Sequence, residues 1–145
     1  MPGYWLIKSE PTVYPWSQLQ EEKRTVWDGI RSFEARNNLR AMKVGDQCFF
    51  YHSNVGKEIV GVAKVVRAAF ADPKAEGEDW SAIEVAAAYP LAEPVSLSTL
   101  KETKRTAGME LVKKSRLSVT HVTAEEWKAI HSLSKTPVTA KKSKA

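Results

Sequence analysis

The chain has 145 residues, of which 43% are hydrophobic and 27% charged, and it carries a net charge of +5. That length and balance specify one globular domain with enough apolar mass to bury a core, and they exclude a disordered polar chain. Its apolar runs fall far short of the ~18 residues of a membrane span, and no basic start leads into an apolar stretch, so neither a transmembrane helix nor a secretory signal is expected.

Tyr4–Lys8 reads as a short strand closed by Ser9-Glu10-Pro11, because Pro11 holds Glu10 extended and ends the pairing. Pro15–Gln20 fits a helical turn with Pro15 at its start. Thr25–Trp27 is a strand broken by the turn dipeptide Asp28-Gly29. Ser32 then N-caps a helix to about Met42, with Ala35, Leu39 and Met42 on one face.

Val44-Gly45-Asp46 turns the chain into a strand from Gln47 to Ser53. Its alternation puts Cys48, Phe50 and His52 on one face and Phe49, Tyr51 and Ser53 on the other. Both faces are apolar, so both should be covered. Cys48 is the single cysteine, which excludes an internal disulfide and fits a reducing, cytoplasmic setting.

Glu58–Phe70 is dense in valine and reads as a strand, with Gly61 at a bulge or a close approach. Asp72–Asp79 is a polar loop, and Trp80–Tyr89 a strand whose end Pro90 and Pro94 bracket. Leu97–Lys101 and Gly108–Lys113 fit helical turns, and Leu117–Val122 a last strand. Thr123-Ala124-Glu125-Glu126 has the form of a capping box, with Val122 placed to staple Trp127. Trp80 and Trp127 are expected in the core.

The domain therefore spans residues 1–134, followed by a basic tail at 135–145. The tail holds Lys135, Lys141, Lys142 and Lys144 and no acid, which leaves 18 basic against 17 acidic residues in the body. A body so near neutrality is not built to clamp a long duplex; the tail adds a weak, salt-sensitive attraction. Five or six strands with short helices specify an α+β domain built on a small barrel.

Three clusters at strand ends and a helix start carry the chemistry: YWLIKSEP, WDGIRSFEARN and FFYHSN. They offer aromatic faces at Trp5 and Trp27, polar groups at Ser9, Asn37 and Ser53, and guanidinium groups at Arg31 and Arg36. Nucleobases suit that mixture, since they present a face for stacking and polar edges for hydrogen bonds. Trp5 and Trp27 serve either as stacking platforms or as core. Arg31 and Arg36 flank a helix start, where free N–H groups favour a phosphate. His52 and Ser53 point to opposite faces and make no base–nucleophile pair, so no catalytic set is expected. His52, His121 and His131 have no metal-ligand spacing, and no dinucleotide fingerprint is present; neither metal nor cofactor is expected.

Taken together, YWLIKSEP, WDGIRSFEARNNLRAMKVGD, FFYHSN, IVGVAKVV and RLSV resemble the EVE domain of the PUA-like superfamily, over residues 4 to about 131. The resemblance implies a PUA-like pseudo-barrel of five to six strands with a nucleotide pocket. Its motifs fall on Trp5, Lys8, Ser9 and Glu10; on Trp27, Gly29, Arg31, Ala35, Arg36 and Asn37; on Tyr51, His52 and Ser53; and on Arg116 and Ser118. This chain reads Arg31-Ser32-Phe33-Glu34 where Arg-Asn-Tyr-Gln is usual, so Ser32 and Phe33 join the candidates as positions that change which base edge is read.

The implied function is a non-catalytic reader that captures a modified or unpaired nucleotide, foremost a modified cytosine such as 5-methylcytosine, in an aromatic-lined pocket. Related YTH domains hold a methylated adenine, and EVE proteins of the thymocyte nuclear protein type are associated with modified cytosine in DNA. The expected partner is DNA or RNA presenting a single-stranded or flipped base, met by a monomer with no membrane involved. ASCH relatives supply the alternative, an amidohydrolase of acylated cytosine nucleosides that would use Lys8 and Glu10.

Overall fold

The computed structural model describes residues 3–74 and 80–136. In chain order the elements are β1 (Tyr4–Ser9), α1 (Trp16–Glu22), β2 (Arg24–Trp27), α2 (Phe33–Ala41), β3 (Gln47–His52) and β4 (Glu58–Ala71), then β5 (Ser81–Ser96), α3 (Leu97–Glu102), α4 (Glu110–Lys113), β6 (Val119–Val122) and α5 (Ala124–Leu133). The strands form one mixed sheet in the order β2-β5-β4-β3-β1-β6. Among the described strands, β1 and β3 form the one parallel pair.

Period-two alternation divides the interior into two cores. From β3, Cys48 and Phe50 enter the first, whereas Phe49 and Tyr51 enter the second. From β1, Trp5 and Ile7 enter the first and Leu6 the second. The long strands β4 and β5 serve both, with Val65 and Val85 in the first core and Ile59 and Val95 in the second.

Helix α2 makes the sheet curl. Ser32 caps it by accepting from the Ala35 N–H, and its buried Ala35 and Leu39 lie in the first core. Asn38 Nδ2 donates to the Val119 carbonyl of β6 at 2.7 Å, while Arg40 Nε donates to Ser81 Oγ of β5 at 2.8 Å. One helix thus reaches an edge strand and a strand near the opposite edge, and the sheet bends around it without closing. On the other side, Trp127 of α5 stacks between Tyr4 and Phe49, with ring centroids 4.4 and 4.1 Å apart. The expected capping box at Thr123 and Glu126 is fully formed, and Val122 and Trp127 share the second core. No described helix is long and apolar enough to cross a membrane.

Two features differ from the sequence expectations. Strand β5 runs through Pro90 and Pro94 instead of ending there. The β4–β5 register slips between Ile59 and Gly61 and again between Val62 and Ala63, around the Gly61–Pro90 pair, and such bulges accommodate a residue that lacks an N–H. Trp80 is not in the core: it stacks on the exposed Phe33 at the surface, with centroids 5.2 Å apart and planes at 10°. At the end of the described residues, Thr136 Oγ1 accepts from the Ala92 N–H and Lys135 pairs with Glu93. The remainder of the expected tail lies outside the described residues.

Gly61 is a site of close approach. A Cβ there would stand under 3.0 Å from the indole carbons of Trp16, which also packs against Phe50 at 5.3 Å. Gly61→Ala is therefore expected to overpack the first core and destabilise the fold by about 1–3 kcal/mol. Urea unfolding monitored by far-ultraviolet circular dichroism checks this; an unchanged midpoint would show that α1 yields at no cost.

Candidate functional site

The parallel register sets Ser9 opposite His52, so β1 and β3 end side by side. Beyond that point the chain turns sharply. Val13 and Tyr14 N–H groups both donate to the Glu10 carbonyl, and Ser9 Oγ donates to the Tyr14 carbonyl at 2.6 Å. His52 Nε2 accepts from the Trp16 N–H at 3.1 Å, which gives α1 the N-terminal acceptor that Pro15 cannot offer. Two clefts open on either side of the Lys8–Glu10 segment.

The first cleft has a volume of about 780 Å³, with walls from Ser9, Glu10, Val13, Tyr14, Glu22, residues 25–30 and Lys74. Trp27 meets Phe50 and Tyr14 edge-on, at 5.6 and 6.0 Å, so its indole is both core and cleft wall. Tyr14 Oη donates to Glu22 Oε1 at 2.7 Å; burial first, then this carboxylate, pushes the phenol pKa up to about 12. Gln18 occupies the other Glu22 oxygen. Glu10, by contrast, has no side-chain partner among the described residues and is exposed.

One wall is strapped down by Asp72, whose side chain is completely buried. Its Oδ2 accepts from the Gly29 N–H and from Arg31 Nη1, both at 2.9 Å, and its Oδ1 accepts from the Lys74 N–H. Burial alone would raise the Asp72 pKa; these donors and the Arg31 charge overcome it and hold the carboxyl below its usual range. Gly29 turns at φ 80°, a left-handed conformation that suits glycine.

The second cleft, about 450 Å³, is lined by Lys8, Glu10, Tyr51, Ser53, Lys57 and Arg116 together with Asn54, Leu97, Leu111, Ser115 and Ser118. Lys8 Nζ donates to the Ser115 carbonyl at 2.7 Å, and burial lowers its pKa.

Of the residues singled out from the sequence, Lys8, Ser9, Glu10, Trp27 and Gly29 meet at the first cleft. Lys8, Glu10, Tyr51, Ser53, Arg116 and Ser118 meet at the second. The others stand outside both. Trp5 is only 7% exposed, and its Nε1 donates to Asp46 Oδ2 at 3.0 Å, which makes it a core residue. Ala35 is fully buried, Ser32 spends its Oγ on the helix cap, and His52 serves α1. Phe33 and Trp80 form a surface stack, with the Arg36 guanidinium 5.0 Å from the Phe33 ring and that of Arg31 5.6 Å from Trp80. Asn37 Oδ1 accepts from Arg36. Tyr14 and Asp72 were not singled out from the sequence: the first sits between two prolines and the second in a polar loop, and only tertiary pairing reveals their roles. Among the described residues, no group of three or more His, Cys, Asp or Glu could hold a metal ion.

An open mixed sheet curled around a helix, with clefts where its parallel pair ends, defines an α+β PUA-like pseudo-barrel. The chain belongs to the EVE domain family, whose model matches residues 3–133. Thymocyte nuclear protein 1 of Rattus norvegicus is 35% identical, over 92% of this chain and 74% of its own. The solution structure of Rpa0253 from Rhodopseudomonas palustris superposes with a TM-score of 0.88 at 43% identity, covering 92% of this chain and 93% of that one. The crystal structure of human THYN1 in complex with DNA containing 5-methylcytosine gives a TM-score of 0.85 at 30% identity, over 93% of this chain and 99% of that one.

The His52 contact makes stability depend on pH. Burial lowers the His52 pKa, and the Glu58 charge only partly opposes it. As pH falls below about 6.5, the unfolded chain takes up the proton first, so stability from this site is full above that value and drains as pH drops toward the lowered folded pKa. His52→Gln, which keeps an acceptor but does not titrate, is expected to lose this part of the pH dependence. Urea midpoints at pH 8 and pH 5 for both proteins provide the check; parallel pH profiles would rule out the contribution.

Proposed function

We propose that this chain reads modified cytosine in DNA, holding an extruded or unpaired base in the first cleft and leaving it chemically unchanged. The observation that carries the reading is the composition of that cleft. At about 780 Å³ it lies within the 300–1,000 Å³ range of ligand pockets, and it combines Trp27 and Tyr14 with the unpartnered Glu10 carboxylate. A carboxylate is the natural acceptor for the cytosine N4 amino group, and Val13 and Val26 offer apolar contact for a 5-methyl group. Extruding a base costs a few kcal/mol, which stacking and edge contacts offset. The 30% identical human relative, crystallised with 5-methylcytosine-containing DNA, supports the ligand class.

The hydrolase alternative would set the Lys8 ammonium beside the Glu10 carboxylate. Among the described residues no ion pair joins the two, and Lys8 Nζ turns to the Ser115 carbonyl at 2.7 Å, which favours the reader.

Fluorescence anisotropy with strands carrying one 5-methylcytosine or plain cytosine tests the proposal. The methylated strand should bind more tightly, and Glu10→Ala should weaken its binding by about 1–3 kcal/mol. The recovered nucleoside should have unchanged mass after prolonged incubation. Equal binding of the two strands, or indifference to Glu10→Ala, would overturn this assignment.

A further inference from the structure

We propose that the second cleft is a phosphate subsite, which receives the phosphate of the nucleotide whose base enters the first cleft. The inference rests on the reading above and extends it from the base to the backbone. Lys8, Lys57 and Arg116 converge on a cavity of about 450 Å³, opposed by one carboxylate, Glu10, on the wall shared with the first cleft. None of the three cations has a carboxylate within ion-pair distance among the described residues. Their neighbour Lys114 shows the contrast: it is taken by Glu34 at 2.6 Å and Glu110 at 3.8 Å.

Lys8 is half-buried with a single carbonyl as its described hydrogen-bond partner, an arrangement that leaves an ammonium short of a counter-ion. Its lowered pKa has the same cause, and an anion in the cleft would reverse it. Ser53 and Ser118 add hydroxyl donors to the lining. Lys57 is held there at some backbone cost: it has φ 49° directly after Gly56 at φ 89°, and its carbonyl is fixed by the Leu97 N–H at 2.8 Å. A mixture of ammonium, guanidinium and hydroxyl donors around one cleft matches the several acceptor oxygens of a phosphate. Because Lys8 and Glu10 line both clefts, the two volumes are neighbours across one wall, and a nucleotide with its base on one side brings its phosphate to the other.

The test is a titration of isotope-labelled protein followed by amide shifts, with four probes: 5-methyl-2′-deoxycytidine, its 3′- and 5′-monophosphates, and inorganic phosphate. One monophosphate should bind about tenfold more tightly than the nucleoside and shift the Ser53 and Ser118 amides. In the Lys57→Gln/Arg116→Gln variant, whose altered residues are exposed, that gain should vanish while the nucleoside affinity and melting temperature stay unchanged. With a methylated strand, the salt slope of the variant should be shallower by about 1.4 for two lost contacts. Equal affinity for nucleoside and monophosphates, or shifts confined to the first cleft, would overturn the subsite. Inorganic phosphate binding as tightly as the monophosphates would overturn the link to a nucleotide. If the nucleoside and methylated strand fail to bind while a monophosphate still shifts Ser53 and Ser118, the phosphate site stands and the base-reading proposal falls.

Discussion

Burial of β3 on both faces is the constraint on which the rest of the architecture depends. Phe49 and Phe50 are adjacent in sequence and both fully buried, so each must be met by its own layer of side chains. The first layer comes from Trp16, Trp27 and α2, and the second from Trp127 and α5. A one-residue slip of β3 would exchange both aromatic rings between layers, which fixes its register against β1 and β4 firmly. That register in turn decides where Ser9, His52 and Ser53 emerge together.

The clefts follow from how this firm centre stops. A parallel pair cannot be closed by a tight hairpin, so the chain must leave β1 by a separate route, and it does so through the Glu10–Tyr14 turn. The resulting ridge carries Lys8 and Glu10, a cation and an anion that each face two cavities. The groups lining the clefts are thus fixed by strands and turns inside hydrogen-bonded structure, with Asp72 holding the opposite wall from beneath.

Much of this was legible in the sequence because local rules and tertiary packing agree. The capping residues Ser32 and Thr123, the alternation of Cys48 to Tyr51 and the close approach at Gly61 all stand as expected. The failures occur where tertiary structure overrides a local rule. Two prolines do not stop β5, because bulges against β4 absorb them. Trp80 looks like core by composition, yet Phe33 and two arginines give it a surface to lie on. At the clefts, strand-end positions were legible as motif clusters, while Tyr14 and Asp72 depend on partners that lie far away in sequence or carry no recognisable pattern. Trp5 shows the converse: an aromatic at a strand start satisfies its indole on Asp46 and belongs to the scaffold.

The placement of β1 also has a consequence for how the molecule is made. The opening strand of this sheet lies between β3 and β6, paired in register from Tyr4 with Val122, and Tyr4 is covered by Trp127. One of its two ladders and the stacking partner of Tyr4 therefore reside in the β6–α5 segment. During translation β1 can find β3 early, but its other edge stays open until β6 emerges, and pairing across such a sequence separation is slow. The nascent chain thus carries an unpaired, apolar strand edge for most of its synthesis, the kind of edge that invites wrong pairing. Completion of this fold is an event of the sheet's closing strand acting on its opening one.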